Sequence, residues 1–335
     1  MIRRMLTLAA ALALATTAAQ AADKVVMGTN WLAQGGHGGY YQALADGTYA
    51  KHGLDVEISM GGPQVNNRPL LAAGRLDFLM AGNLLLSFDN VRNGIPTTVV
   101  AAIYQRDPQA LMAHKGAYPD FAALAKAPKV LVSKDGQFSF WPWLVQQKGF
   151  HDEQLRPYGF SLAPFLADKE LVQQAYGTAE PIYAAAEGAD PEVFLLADQG
   201  WNTYASTIET RNDLIEKNPD LVQRFIDATI EGWYTFLYGD HSAGYSAIIA
   251  ANPEMTAEKL DAEMAKFKEL GIIDVGDALD KGIGAVDPAR VAAFYQLAVS
   301  AGILAEGSVD PAKVATDQFV NKGHGLDLKA KLTGQ

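Results

Sequence analysis

Apolar and polar positions are most regularly patterned between Val25 and Met80. The apolar run Val25–Met27 predicts a buried strand. Leu54, Val56 and Ile58, separated by Asp55 and Glu57, predict a second strand with one covered face. Between them, a glycine-rich turn leads into Tyr40, Tyr41, Ala43 and Leu44, which carry helical spacing, and His52–Gly53 marks the next turn. A second helix is expected over Val65–Ala73, ended by Gly74, and a third strand over Leu76–Met80. This β-α-β-α-β order predicts a parallel sheet with helices on both faces. Ligands of such sheets sit beyond the carboxyl ends of the strands, and Trp31, Gly36, His37 and Tyr40 fall at the first of those ends.

Further along, Ala81-Gly82-Asn83 is expected to turn the chain, with Asn83 capping a helix over Leu84–Val91. The free N–H groups of that helix start make Gly82 and Asn83 candidates for ligand contact. Pro96–Ile103 reads as a strand, and Tyr104–Pro108 breaks the pattern, which places a first crossing between two lobes there. An extended run over Ala110–Ala113, a short helix over Asp120–Ala125 and a strand over Lys129–Val132 follow. Next comes an aromatic cluster, Gly136–Leu144, at the start of a helix in which Ser139 can cap and Pro142 fits the first turn. Its four rings cannot all face inward from one turn, so one or two, with Phe140 and Trp141 foremost, are expected in a crevice. Gly159–Leu166 reads as a weak strand, Leu171–Gly177 and Thr178–Gly188 as short helices, and Val193–Ala197 as a strand. Asp198–Tyr204 is placed as the return crossing. From Thr210 onward the pattern is helical, with a long amphipathic helix over Asp220–Tyr238 and others over Ser242–Ala250, Ala257–Leu270 and Pro288–Ala301. The expected organisation is therefore α/β and two-lobed: residues 22–104 in the first lobe, 105–204 in the second, and 205–335 returning, mostly helical, to the first.

Composition narrows the function. Residues 1–21 read as a secretory signal peptide, with Arg3 and Arg4, the apolar run Leu6–Ala15, and a small-x-small site ending at Ala21. The expected location is a periplasm. The chain has no cysteine, which excludes disulfides, thiol nucleophiles and thiolate metal sites. The formal net charge is −11, and −13 once Arg3 and Arg4 are removed, which argues against nucleic acid as a partner.

Catalytic signatures are missing. His37-Gly38-Gly39 has the look of an oxyanion loop, but no G-x-S-x-G accompanies it. Neither H-E-x-x-H nor a phosphate loop occurs, and the six histidines are scattered. No cofactor or metal is expected. What stands out is aromatic residues near loops at expected strand ends: Trp31, Tyr40, Phe140, Trp141, Trp201 and Tyr204. Rings gathered in a cleft suit a flat or apolar small molecule. Glu180, at a helix start, could accept hydrogen bonds from an amine.

The pattern W-x-x-x-x-x-H-x-G-x-Y-x-A-L-x-x-G-x-Y-x-x-x-G-L-D-V-E-I, here Trp31 to Ile58, followed by L-x-A-G-R-L-D-F, here Leu71 to Phe78, resembles the periplasmic solute-binding proteins of ABC importers. The subgroup is the one handling nitrate, sulfonates, riboflavin and pyrimidine precursors of thiamine. The run Tyr204–Asn218 with Pro219, Asp220, Leu221 and Phe225 is similar to the same family. The resemblance implies a type II periplasmic binding protein fold with two crossover strands, a small-molecule ligand between the lobes, a membrane permease as partner and a monomeric protein. It implies that Trp31, His37, Tyr40, Gly82 and Asn83 line one side of the site and Ser139, Phe140, Trp141 and Glu180 the other. The Trp-plus-His pattern points to a pyrimidine thiamine-precursor-like solute, although an Asn-Pro usual in those binders is missing near Gln34-Gly35. A sulfonate, nitrate or riboflavin binder is the alternative, as is an enzyme of thiamine-pyrimidine synthesis on the same fold; that enzyme carries a cysteine cluster this chain lacks.

Overall fold

The computed structural model describes residues 21–62 and 65–334. The expected export signal, but for Ala21, lies outside them. Strand β1 (Asp23–Gly28) runs parallel to β2 (Leu54–Ser59), with Val25 opposite Val56, and parallel to β3 (Phe78–Asn83), with Met27 opposite Phe78. The alternation in β2 does what its pattern dictates: Leu54 and Val56 are buried, Asp55 and Glu57 exposed. A further strand, β4 (Thr97–Tyr104), belongs to the same sheet, but another strand separates it from β3. This is β10 (Ala205–Arg211), antiparallel to both, giving the order β2-β1-β3-β10-β4.

The second sheet is built from β5 (Gln109–His114), β6 (Val130–Val132), β7 (Leu155–Pro157), β8 (Val172–Tyr176) and β9 (Pro191–Leu195), ordered β7-β6-β8-β5-β9. The chain leaves the first sheet at β4, enters the second at β5, and returns from β9 to β10. Both connections are therefore short, and β10 is a strand inserted back into the first lobe.

Four expectations are corrected. Ala81–Asn83 continues β3 instead of turning, with Asn83 paired to Ala205; Asn83 still caps, its Oδ1 accepting the Leu85 N–H at 3.0 Å. Leu171–Gly177 is not a helix. It contains β8, a central strand, whose Gln173 and Gln174 read as helix formers but pair with Met112 and Leu111. The segment 159–166 holds no strand and ends in a short helix, Ala163–Ala167. Ala205–Arg211 opens the part expected to be mostly helical, yet is a strand of the first sheet, between β3 and β4: Ser206, Thr207, Glu209 and Thr210 are all buried. Burial of Glu209 raises its carboxyl pKa, and the Ser87 hydroxyl and Asn90 Nδ2 (3.0 Å) donate to it.

The first sheet is covered by two helices that touch almost backbone to backbone, Gly38–Ala45 and Pro219–Tyr238. Gly38 and Gly39 are poor helix formers, but a Cβ on Gly39 would stand 2.2 Å from the Trp233 ring, and one on Gly38 2.1 Å from Phe236. From the other side, a Cβ on Gly232 would lie 2.4 Å from the Gly39 carbonyl oxygen. Here glycine trades helix propensity for close approach.

Candidate functional site

The carboxyl ends of β1, β3 and β4 open on the same side as the start of β10. From the end of β1 the chain runs through Trp31 into the turn Gly35–His37. Across the gap, the second lobe presents the helix Glu180–Ala186 and the segment from Tyr158 to Phe160. Trp31 meets Phe160 with ring centroids 5.0 Å apart, and Phe160 meets Tyr158 at 5.1 Å. Phe160 is half exposed and stands at φ 58°, a left-handed conformation that bulky side chains rarely adopt. The Tyr158 hydroxyl reaches Glu180. A row of rings thus leads from the mouth to a carboxyl group whose Oε2 accepts the Tyr176 N–H at 2.8 Å. Burial raises the Glu180 pKa despite these hydrogen bonds.

On the first-lobe side, His37 is buried, and desolvation pushes its pKa down to about 4, so the ring is neutral. One ring nitrogen, Nε2, lies 3.3 Å from Asn30 Oδ1, while Nδ1 has no partner among the described residues. With Nε2–H donating to Asn30, Nδ1 is a free acceptor. Tyr40 is fully buried; its hydroxyl lies near Ser206 Oγ and Trp233 Nε1 without a well-formed bond to either, and burial raises its pKa. Gly82 is open, a Cβ there meeting only Leu86 at 3.4 Å. Ser139 sits between two helices, Lys134–Phe138 and Phe140–Lys148, and makes no cap bond.

The remaining sequence candidates are placed elsewhere, each with its polar or aromatic capacity already used. Phe140 lies in the second-lobe core, where a Cβ on Gly136 would stand 2.9 Å from its ring. Trp141 donates its indole N–H to Asp152 at 2.8 Å and packs edge-on against Phe150 at 5.9 Å. Trp201 is wedged between Trp143 (5.3 Å) and Phe294 (5.1 Å). The Tyr204 hydroxyl accepts the Asp287 N–H at 3.0 Å, and its ring lies under Arg290 at 4.0 Å. Trp201 and Tyr204 therefore belong to the crossing, not to the crevice. In the same place Arg290 Nη2 donates to the Gln105 carbonyl (2.6 Å) and the Thr203 carbonyl (3.0 Å), one on each connection.

Sequence reasoning missed Tyr158, Phe160, Tyr183 and Glu263. The first two were hidden by the reading of 159–166 as a strand, although the aromatic spacing Tyr158-x-Phe160 was visible. Glu263 lies on a helix remote in sequence, and nothing local marks it. An open groove of about 320 Å³ lies outside the crevice, between Lys115, Asp190, Glu192, Lys266 and Glu269. Four of its charges are paired, Lys115 with Asp190 at 3.5 Å and Lys266 with Glu269 at 2.7 Å, and no ring lines it. Among the described residues, no group of three or more His, Asp or Glu could hold a metal ion, and no helix is long and apolar enough to cross a membrane.

At the crossing, Asp107 is buried, and desolvation pushes its pKa up to about 7. Its carboxyl accepts the Gln109 N–H at 3.0 Å, and the Trp201 indole points to it. A raised carboxyl pKa in the folded state contributes stability that is complete below the ordinary carboxyl range and lost as pH rises through about 7. Asp107→Asn keeps the acceptor oxygen and removes the titration. The thermal midpoint of the native chain should fall between pH 5 and pH 8, and the variant should fall less, by on the order of 2–4 kcal/mol of stability. An equal fall in both proteins would show that Asp107 is not a group responsible.

The family described as NMT1/THI5 like matches residues 34–239. The riboflavin-binding protein RibY of Chloroflexus aurantiacus is 29% identical over 204 residues, which is 58% of this chain and 56% of RibY. The chain thus aligns with little more than half the length of that relative. Among solved structures, the periplasmic aliphatic sulphonate binding protein SsuA of Escherichia coli superposes with a TM-score of 0.63 at 15% identity, covering 87% of this chain and 91% of SsuA. The periplasmic nitrate-binding protein NrtA of Synechocystis PCC 6803 gives 0.61 at 15% identity, covering 92% and 90%. At such identities the likeness is one of fold: two α/β lobes joined by two crossover segments, as the two five-stranded sheets require.

Proposed function

The chain belongs to the NMT1/THI5-like family, and on that premise we propose that it is the solute-binding component of an ABC importer, exported to the periplasm, which captures a small heteroaromatic solute between its lobes and hands it to a membrane permease. No bond is made or broken; closure follows from the solute's greater affinity for the closed form. The observation that supports this reading most directly is the row Trp31, Phe160, Tyr158, which spans the two lobes and ends on Glu180. Rings suit a flat guest, while His37 Nδ1 and Glu180 offer acceptors to its N–H or amino groups.

This chemistry favours a neutral or cationic solute over an anion. Nitrate or a sulfonate calls for donors or cations, and both arginines at the crossing are already engaged: Arg106 with Asp198 and the Leu270 carbonyl (2.7 Å), Arg290 with the Gln105 and Thr203 carbonyls. A pyrimidine resembling the thiamine precursors and the isoalloxazine of riboflavin both present a flat ring with hydrogen-bond donors, and RibY lends weight to the second.

Thermal unfolding with an aminopyrimidine, riboflavin, an alkanesulfonate and nitrate tests the class. A solute at a hundred times its Kd stabilises by about 2.7 kcal/mol, which is roughly 5–10 °C for a chain of this size. One of the first two should produce that shift. Stabilisation by the sulfonate or nitrate alone would overturn the assignment of class.

A further inference from the structure

Beyond the crevice rings, the lobes are joined by a buried carboxyl group. Glu263, on the helix Ala257–Glu269, is 2% exposed. Its Oε2 accepts the Gly35 N–H at 2.7 Å, at the start of the first-lobe turn that carries His37. Its Oε1 accepts the hydroxyl of Tyr183, from the second-lobe helix Glu180–Ala186. The fit is close: a Cβ on Gly35 would stand 2.5 Å from Oε2.

The groups around Glu263 do not neutralise it. Glu180, a like charge, faces it from the opposite lobe. Tyr104 faces it from β4, and Tyr245 from the helix Ser242–Ala251. The cation that acts on it is Lys259, a turn earlier on its own helix, whose Nζ donates to the Glu254 carbonyl at 2.7 Å and lies 5.6 Å from the Tyr183 ring centroid, while Lys266, a turn later, is paired with Glu269. Two carboxyl groups from opposite lobes are thus brought together out of water, with no ion pair to either among the described residues. Separating the lobes would take Tyr183 and Glu180 away and hydrate Glu263.

We propose that lobe closure is coupled to uptake of one proton from solvent, and that Glu263 is the positioning residue that receives it. Protonated at Oε1, Glu263 donates to the Tyr183 oxygen and still accepts the Gly35 N–H through Oε2, so every bond of the latch survives. Ionised, it must be buried as a charge beside a second carboxylate, and the closed form is disfavoured. Burial holds the Glu263 pKa up at about 7 in the closed form. The contribution to closure is therefore complete below the ordinary carboxyl range and gone above about pH 7. The inference rests on the reading that the lobes open and close around a solute, but its test needs no solute.

Because the chain lacks cysteine, Asp55→Cys and Glu153→Cys, both at exposed positions on different lobes, allow a donor and an acceptor dye to report lobe separation by single-molecule energy transfer. In the ligand-free protein the closed-to-open ratio should drop on the order of a hundredfold between pH 5 and pH 8. Glu263→Gln, which is neutral at both pH values, should remain as closed at pH 8 as at pH 5. Tyr183→Phe, at a partly exposed site, should be more open than the native protein at pH 5. A native distribution independent of pH, or a pH response kept in Glu263→Gln, overturns the proposal. Failure of the solute panel would leave this measurement untouched, so the two readings fail separately.

Discussion

Trp31→Ala should weaken binding of the stabilising solute about 30- to 100-fold while shifting the thermal midpoint of the ligand-free protein by no more than about 2 °C. The two halves of that expectation have different physical sources. Stacking on an indole contributes about 0.5–1.5 kcal/mol beyond the burial of apolar surface, and burial adds about 1.5–3 kcal/mol; a loss near 2–3 kcal/mol corresponds to the stated factor. Stability is spared because Trp31 is only half-buried and its described ring partner is Phe160, itself half exposed. Titration calorimetry with whichever solute shifts the melting curve, beside a melt of the free variant, separates the outcomes. Unchanged affinity would remove Trp31 from the site; a large loss of stability would make it a structural residue of the first lobe.

Gly232→Ala should lower the thermal midpoint by roughly 4–8 °C. Alanine gains about 1 kcal/mol in helix propensity over glycine, so on propensity alone the variant would be more stable. The new Cβ, however, would stand 2.4 Å from the Gly39 carbonyl oxygen and 2.6 Å from the Ala43 Cβ. Neither atom can rotate away, so the two helices must separate, exposing the packing of Trp233 and Phe236. Overpacking of this kind costs about 3 kcal/mol, and for a chain of this length each kcal/mol is worth about 2–4 °C. Gly159→Ala is the control, since a Cβ there meets nothing within 4 Å. A midpoint within about 2 °C of the native value in Gly232→Ala would mean that the helices are not interlocked at this point.

Periodicity made the first half of the first lobe legible. Strand β2 and the helices Leu84–Arg92 and Pro219–Tyr238 carry a covered face of one period, while β4 is marked by a β-branched apolar run that is buried almost throughout. Periodicity fails where burial is not apolar. In β10, Glu209 and Thr210 are inside because Ser87, Asn90 and the Asp77 carbonyl satisfy them, and those partners lie more than a hundred residues away. In β8, Gln173 and Gln174 favour helix locally, and the neighbouring strands override that preference.

The site followed the same division. Trp31 and His37 could be placed from the end of one predicted strand. An aromatic residue near a crossing, by contrast, has no sequence mark that says whether it faces a guest or a neighbouring ring. Trp141 and Trp201 found Asp152 and Phe294, and Phe160 found Trp31.

Arg290 holds the backbone of both connections with one guanidinium, at Gln105 and at Thr203, and rests on Tyr204. It touches neither Trp31 nor Glu180 among the bonds described, so its energy enters the pivot and not the grip. Apparent affinity is the intrinsic affinity multiplied by the fraction of molecules able to clasp. A substitution at this arginine would therefore rescale the affinities for all guests by one common factor and leave their ranking intact. On the proposed function, strength of capture and choice of cargo would then be written in different parts of the chain, and each could drift without disturbing the other.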